Sequence, residues 1–192
     1  GGKLKGVHFG MDYLKQQNKR ASNKEVTGDD ILATGKNVLV IGGGDTGSDC
    51  VGTSNRQGAN SVVQFELLPQ PPQARTPLMP WPTYPMLLKT TSSHEEGADR
   101  KWAVATKAFV GDEDGNLKAV RVVDLQWIAS ADGRPAQFTE IAGSEREIPC
   151  ELALLAMGFL HGEKAPLLQE LDIELDERGN IKADEKGFQT NM

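Results

Sequence analysis

The residues with the clearest chemistry are six in a row. Gly42-Gly43-Gly44-Asp45-Thr46-Gly47 fits the pattern G-x-G-x-x-G, with glycines at 42, 44 and 47. In such a turn the first glycine permits the tight reversal, the second lets backbone approach a pyrophosphate, and the third lets a helix pack close to a strand. Amides at Gly44, Asp45 and Thr46 would face outward at a helix start, where unpaired donors and the helix dipole attract phosphate. About twenty residues on stands Glu66, a carboxylate able to accept hydrogen bonds from adenosine ribose hydroxyls. A carboxylate there repels the extra phosphate of NADP, so the strand end leans towards NAD. Arg75 is the next arginine, and it either reaches a 2′-phosphate or is solvated in its loop.

The other reactive side chains are weaker candidates. His94-Glu95-Glu96 suggests acid/base work and Asp99-Arg100 a clamp, but both also suit a solvated loop or helix start. Hydride transfer between cofactors needs no protein acid, so no catalytic residue is assigned. Cys50 falls on the sheet side of the expected helix, and Cys150 precedes a buried strand. Both read as reduced core thiols, and two cysteines cannot supply the four thiolates of an iron–sulfur cluster. His8, His94 and His161 are scattered, and no metal site is expected.

The elements that position the glycine turn are legible in periodicity. Asn37 to Ile41 is an unbroken apolar strand entering the turn, a helix is expected from Asp45 to Gln57 with Gly58 as its terminal cap, and Ser61 to Leu67 is the next strand. Together they make one βαβ unit. Before it, Phe9, Met11 and Leu14 suggest an amphipathic helix over Val7 to Lys19, leading through a polar linker, 1–28 in all. After it, Pro69 to Pro85 is a proline-rich loop holding Trp81 and Tyr84, which either cover the nicotinamide or pin the loop. Lys101 to Val110, Leu117 to Ile128 and Gln137 to Ile148 read as three strands of an antiparallel meander, with turns at Asp112–Gly115 and Asp132-Gly133. Glu151 to Ala156 returns as a buried strand, followed by Met157-Gly158, a short helix over Pro166 to Leu171 and a turn at Asp176–Gly179. The fold class is α/β: a Rossmann-like three-layer domain with a central parallel sheet plus an antiparallel β-meander, one nucleotide-binding domain over 1–192.

With 192 residues the chain suffices for one sizeable domain, and its net charge of −6 makes nucleic acid and anionic membrane poor partners. No apolar run reaches the roughly 18 residues of a membrane span, and no signal peptide opens the chain, which points to the cytoplasm. The start at Gly1-Gly2 and the stop at Gln189-Thr190-Asn191-Met192 suggest a piece of something longer.

Several distant motifs then carry a family resemblance. Val40 to Cys50, Phe65-Glu66-Leu67-Leu68-Pro69-Gln70-Pro71-Pro72, Trp81-Pro82, Thr106 to Glu113, Leu155-Ala156-Met157-Gly158-Phe159 and the opening Gly6-Val7-His8-Phe9 with Gln16-Gln17-Asn18-Lys19 resemble the small (beta) subunit of glutamate synthase. The resemblance covers nearly the whole chain. It implies the NAD(P)H domain inserted into an FAD domain, as in flavin disulfide reductases. It further implies that reducing equivalents pass from NADPH or NADH to FAD, then through iron–sulfur clusters to a large-subunit partner. The flavin motif and the cluster segment lie outside this chain, so the piece alone is expected to bind nucleotide and to be inactive. By the same resemblance the cofactor-binding residues are Gly42, Gly43, Gly44, Asp45, Thr46, Gly47 and Glu66, with Met157 and Gly158 near the nicotinamide half; Arg75, from the reading of the residues above, is a candidate for the 2′-phosphate. NADPH-preferring members often carry consecutive arginines where this chain has Leu67-Leu68. The rival expectation is a non-catalytic nucleotide sensor or interaction domain on the same fold. A short-chain-type dehydrogenase would need a tyrosine–lysine pair, and neither Tyr13 nor Tyr84 has a lysine four residues on.

Overall fold

The computed structural model describes residues 3–82, 86–130, 135–164, 166–184 and 186–192. Their contacts divide the chain into two compact units, Gly1–Met157 and Gly158–Met192.

The first unit is built on a five-stranded parallel sheet ordered β1-β9-β2-β3-β4, formed by β1 (Val7–Phe9), β9 (Leu152–Leu155), β2 (Asn37–Ile41), β3 (Ser61–Glu66) and β4 (Asp99–Trp102). Strand alternation sorts its side chains into two cores. Val38, Val40, Val62, Leu152 and Leu154 face one way and meet Tyr13 of α1 (Gly10–Ala21) and Cys50 and Val51 of α2 (Asp45–Arg56). Leu39, Phe65 and Ala153 face the other way, against Val104, Leu117, Val120, Val122 and Cys150. That second layer is an antiparallel sheet of β5 (Val104–Gly111), β6 (Leu117–Ala129), β7 (Pro135–Glu140) and β8 (Arg146–Pro149), in which β6 pairs with the other three. The three-layer reading holds, with sheet in place of helix on one face.

Three expectations are corrected. Val7–Phe9 is a strand paired in parallel with Ala153–Leu155, so α1 begins only at Gly10. Phe9 is 64% exposed and Met11 is also exposed, whereas Tyr13 is fully buried. The stretch 101–110 is two strands: Ala103, at φ 55, breaks the chain so that β4 extends the parallel sheet and β5 turns into the antiparallel one. Gln137 to Ile148 likewise divides into β7 and β8. The turn at Asp112–Gly115 forms, its Asp112 carboxylate accepting the Asn116 amide at 2.8 Å. Asp132-Gly133, Tyr84 and Pro85 lie outside the described residues.

The second unit contains α4 (Leu167–Glu170) and a turn closed by a Leu175–Ile181 bridge, in which the Asp176 carboxylate accepts the amides of Arg178 and Asn180. Among the described residues no helix is long and apolar enough to cross a membrane.

Candidate functional site: the glycine turn at the end of the parallel sheet

In open α/β sheets, ligands bind outside the carboxyl ends of the strands, where neighbouring connections run in opposite directions. Here the glycine turn leaves the carboxyl end of β2, which is flanked by β3 on one side and β9 on the other. The turn leaving β2 is held between them: the Gly42 amide donates to the Phe65 carbonyl at 2.8 Å, and the Ala156 amide donates to the Ile41 carbonyl at 2.8 Å.

Each glycine in the turn meets a different surrounding. Gly42 has φ +125, and a Cβ on it would stand 2.1 Å from the Ala156 carbonyl oxygen, with the Met157 nitrogen 3.3 Å away. A Cβ on Gly47 would stand 2.2 Å from the Gly42 carbonyl oxygen. At Gly43 the obstacle is a side-chain end, the Glu66 carboxylate, at 2.5 Å. Gly44 is the cap residue preceding α2, has ordinary extended dihedrals, and would meet nothing within 4 Å. No side chain caps this helix start. The Gly44, Asp45, Thr46 and Gly47 amides are the four that a helix leaves without intrahelical carbonyls, and the ladder begins with Ser48 donating to the Gly44 carbonyl at 3.0 Å. Asp45 is exposed and Thr46 half-buried at this mouth.

Glu66 closes the turn from the β3 side. Its Oε2 accepts the Gly43 amide at 2.7 Å and its Oε1 the Leu68 amide at 3.3 Å. The strand end beyond it is fixed by Trp127 of β6, whose indole donates to the Leu67 carbonyl at 2.9 Å, and by the Ala103 amide on the Leu68 carbonyl. Gly42 to Gly47 and Glu66 therefore come together in one place. Met157 follows β9 with its side chain exposed and its backbone beside Gly42, while Gly158, at φ +85, opens the second unit. Arg75 has contacts inside its own loop: it donates to the Met79 carbonyl at 3.0 Å and lies 5.8 Å over the Trp81 ring. Trp81 is 83% exposed.

Sequence reasoning missed the layer behind the turn. His94, placed by its polar neighbours in a solvated helix start, is 8% exposed in the short helix α3 (Ser92–Glu95). Its Nε2 bonds Gln64 Oε1 at 3.0 Å, and its Nδ1 accepts the Thr91 amide at 3.2 Å. Gln64 in turn donates to the Gly42 carbonyl at 3.0 Å, and Thr91 Oγ1 bonds Ser48 Oγ at 2.5 Å. Burial and the Arg100 charge hold the imidazole below the usual histidine range. The one local signal was Thr91 three residues before His94, a capping-box spacing with histidine in the usual glutamate position. Asp99 pairs with Lys101, and Arg100 donates to the Lys89 carbonyl and lies over Trp102. Cys50 and Cys150 are free thiols in the two separate cores, each pushed up to about 12 chiefly by burial.

Comparison with known proteins follows the same line. No family model matches the chain. It is 44% identical over 185 residues to the glutamate synthase [NADPH] small chain of Mycobacterium tuberculosis, covering 94% of this chain and 36% of the relative. It is 36% identical to the glutamate synthase [NADPH] small chain of Bacillus subtilis, covering 98% of this chain and 39% of that one. It is 41% identical to glutamate synthase [NADH] of Schizosaccharomyces pombe, over 98% of this chain and 9% of the relative. Among solved structures, FprA of Mycobacterium tuberculosis in complex with NADPH superposes with a TM-score of 0.61 at 13% identity, covering all of this chain and 51% of FprA. T. acidophilum thioredoxin reductase superposes at 0.55 and 17% identity, again over all of this chain and 50% of the other. The chain thus spans a little over a third of the bacterial small chains it matches. By sequence it is a homologue of part of the glutamate synthase small chain, and it shares the Rossmann-like fold of FprA and thioredoxin reductase.

Proposed function

We propose that this chain is the NAD(P)H-binding domain of a glutamate synthase small-subunit-like oxidoreductase, with the dinucleotide seated on Gly42 to Gly47 and Glu66. The observation that carries the reading is Gly44. Three glycines of the turn are occupied by protein on the side a Cβ would take, and Gly44 alone of the four opens onto space at the helix start. That is the fit a pyrophosphate needs: close backbone approach, first-turn amides as donors, and no side chain in the way. Glu66 orients the loop through Gly43 and has lone pairs left for ribose hydroxyls, since each carboxylate oxygen accepts a single backbone amide. Met157 borders the other end of the loop, on the side where the nicotinamide half would run.

When bound, NAD(P)H supplies a hydride that a flavin accepts. This chain's residues bind and orient the donor, and the flavin and any iron–sulfur cluster are assigned to parts of the protein outside it. Cys50 and Cys150, buried in different cores, do not present a cluster's ligand set. The partner is a glutamate synthase large subunit, and the compartment the cytoplasm. Arg75 contributes at the adenosine extremity of the cofactor.

Calorimetric titration of the chain with NADPH and NADH in parallel tests the assignment. Saturable binding that Gly44→Ala weakens at least tenfold, with the melting temperature unchanged, is the expected result. A folded chain that binds neither nucleotide overturns it.

A further inference from the structure

The polar layer behind the glycine turn runs in one direction. The Thr91 backbone amide can only donate, so Nδ1 of His94 is the acceptor and the ring proton sits on Nε2. Nε2 then donates to Gln64 Oε1, which fixes the Gln64 amide with its nitrogen towards the Gly42 carbonyl. That carbonyl has no slack: it is wedged against Gly47, whose Cβ position it would meet at 2.2 Å. The same Thr91 reaches Ser48, the first residue of α2 to enter the helical ladder. Gln64 is 2% exposed, Ser48 5% and His94 8%. Buried polar groups in such a chain hold their geometry because a lost partner leaves another buried group unsatisfied.

We infer that His94 is a positioning residue for the nucleotide loop: through Gln64 it holds the Gly42 carbonyl at the loop's entry, and through Thr91 it holds Ser48 at its exit. This rests on the assignment of Gly42 to Gly47 as the nucleotide loop. His94 itself touches no part of that loop, and its effect passes through one hydrogen bond at each end. A second ring proton would fall on Nδ1, against the Thr91 amide at 3.2 Å; the Thr91 hydroxyl, 3.0 Å from Nδ1, would have to turn to accept it, so the Thr91 arm would lose its arrangement while Nε2 still donates to Gln64. The charged groups around the ring are Arg100 of β4, which opposes that proton, Glu95 and Glu96 on its own helix, and Arg56 of α2, which pairs with Glu96. Asp99 of β4 is engaged by Lys101, and β3 presents the uncharged Gln64, with Glu66 two residues further along. Nucleotide affinity therefore depends on the neutral imidazole and falls on the acid side.

The two ring nitrogens can be separated by substitution. In His94→Asn the new carbonyl oxygen stands near the place of Nδ1 and keeps the Thr91 contact, but nothing reaches Gln64. In His94→Gln the new amide nitrogen stands near the place of Nε2 and can donate to Gln64 without titrating. Gln64→Met breaks the relay at its second member. Each variant is titrated calorimetrically with ADP-ribose, which is stable in acid, from neutral pH to below the ordinary histidine range, with folding checked by circular dichroism. Expected are about tenfold weaker binding in His94→Asn and Gln64→Met at neutral pH, and in His94→Gln, which keeps the Gln64 contact but has no acceptor for the Thr91 amide, binding as weak as that of the acidified wild type and unchanged by acid. Wild-type affinity in a folded His94→Asn or Gln64→Met, or an acid loss that persists in His94→Gln, overturns the inference. A folded wild-type chain that binds no ADP-ribose removes the nucleotide assignment and the relay with it, whereas the variant outcomes remove the relay alone.

Discussion

Glu66 Oε2 accepts the Gly43 backbone amide at 2.7 Å, so the acidic residue at the end of β3 belongs structurally to the glycine turn at the end of β2. Parallel pairing over Asn37–Ile41 and Ser61–Phe65 sets this distance, because it brings the two strand ends level. The same carboxylate thereby shapes the loop and stands where an adenosine ribose would be recognised.

Substituting Glu66 by arginine removes the negative charge that repels a 2′-phosphate and supplies a bidentate donor in its place. Glu66→Arg is expected to raise the ratio of NADPH to NADH affinity at least tenfold, which parallel calorimetric titrations would detect. Because Gly43 loses its acceptor, NADH affinity should fall as well. An unchanged ratio would mean the ribose lies elsewhere.

Gly42 and Gly44 should respond oppositely to alanine. Gly42→Ala forces a side chain into φ +125 and against the Ala156 carbonyl, and is expected to cost about 2–3 kcal/mol of stability in urea unfolding. Gly44→Ala meets nothing, so its stability should stay within about 0.5 kcal/mol of the parent.

Phe65 is 1% exposed and sits between the parallel sheet and the antiparallel layer. Phe65→Ala is expected to destabilise the first unit by about 3–5 kcal/mol. Its carbonyl also receives the Gly42 amide, so nucleotide binding should weaken at temperatures well below the new melting point.

The thiols set an alkaline limit. Cys50 and Cys150 are pushed from 9.0 up to about 12 by burial, so the folded chain keeps protons that the unfolded chain releases near pH 9. Folded-state values above the unfolded ones mean stability is fully present below pH 9 and is lost as pH rises towards 12. Melting temperature should fall through that window, and more gently in Cys50→Ala. Native thiols should resist a disulfide reagent at pH 8 and react fully in denaturant.

Much of the fold was local enough to be legible in the residues. The strand, glycine turn, helix and strand from Asn37 to Glu66, and Gly58 closing α2 at φ +78, follow from apolar runs and from conformations that glycine adopts without cost. Glu66 was legible as well, because strand length alone places it level with the turn. What only tertiary structure decided are the features whose partners lie far along the chain. Val7–Phe9 is a strand because Ala153–Leu155 offers an edge, and isolated it carries no period that distinguishes it from the helix it leads into. Trp102 and Val104 belong to different sheets because Ala103 takes a left-handed conformation that no local pattern announces. His94 lies among exposed-looking polar residues, and its burial comes from packing α3 on α2 and β3, where Gln64 and Ser48 meet it. A hydrogen-bond chain through residues 42, 48, 64, 91 and 94 has no sequence period at all. It exists because folding buries Ser48, Gln64 and His94, and buried polar groups must each find a partner.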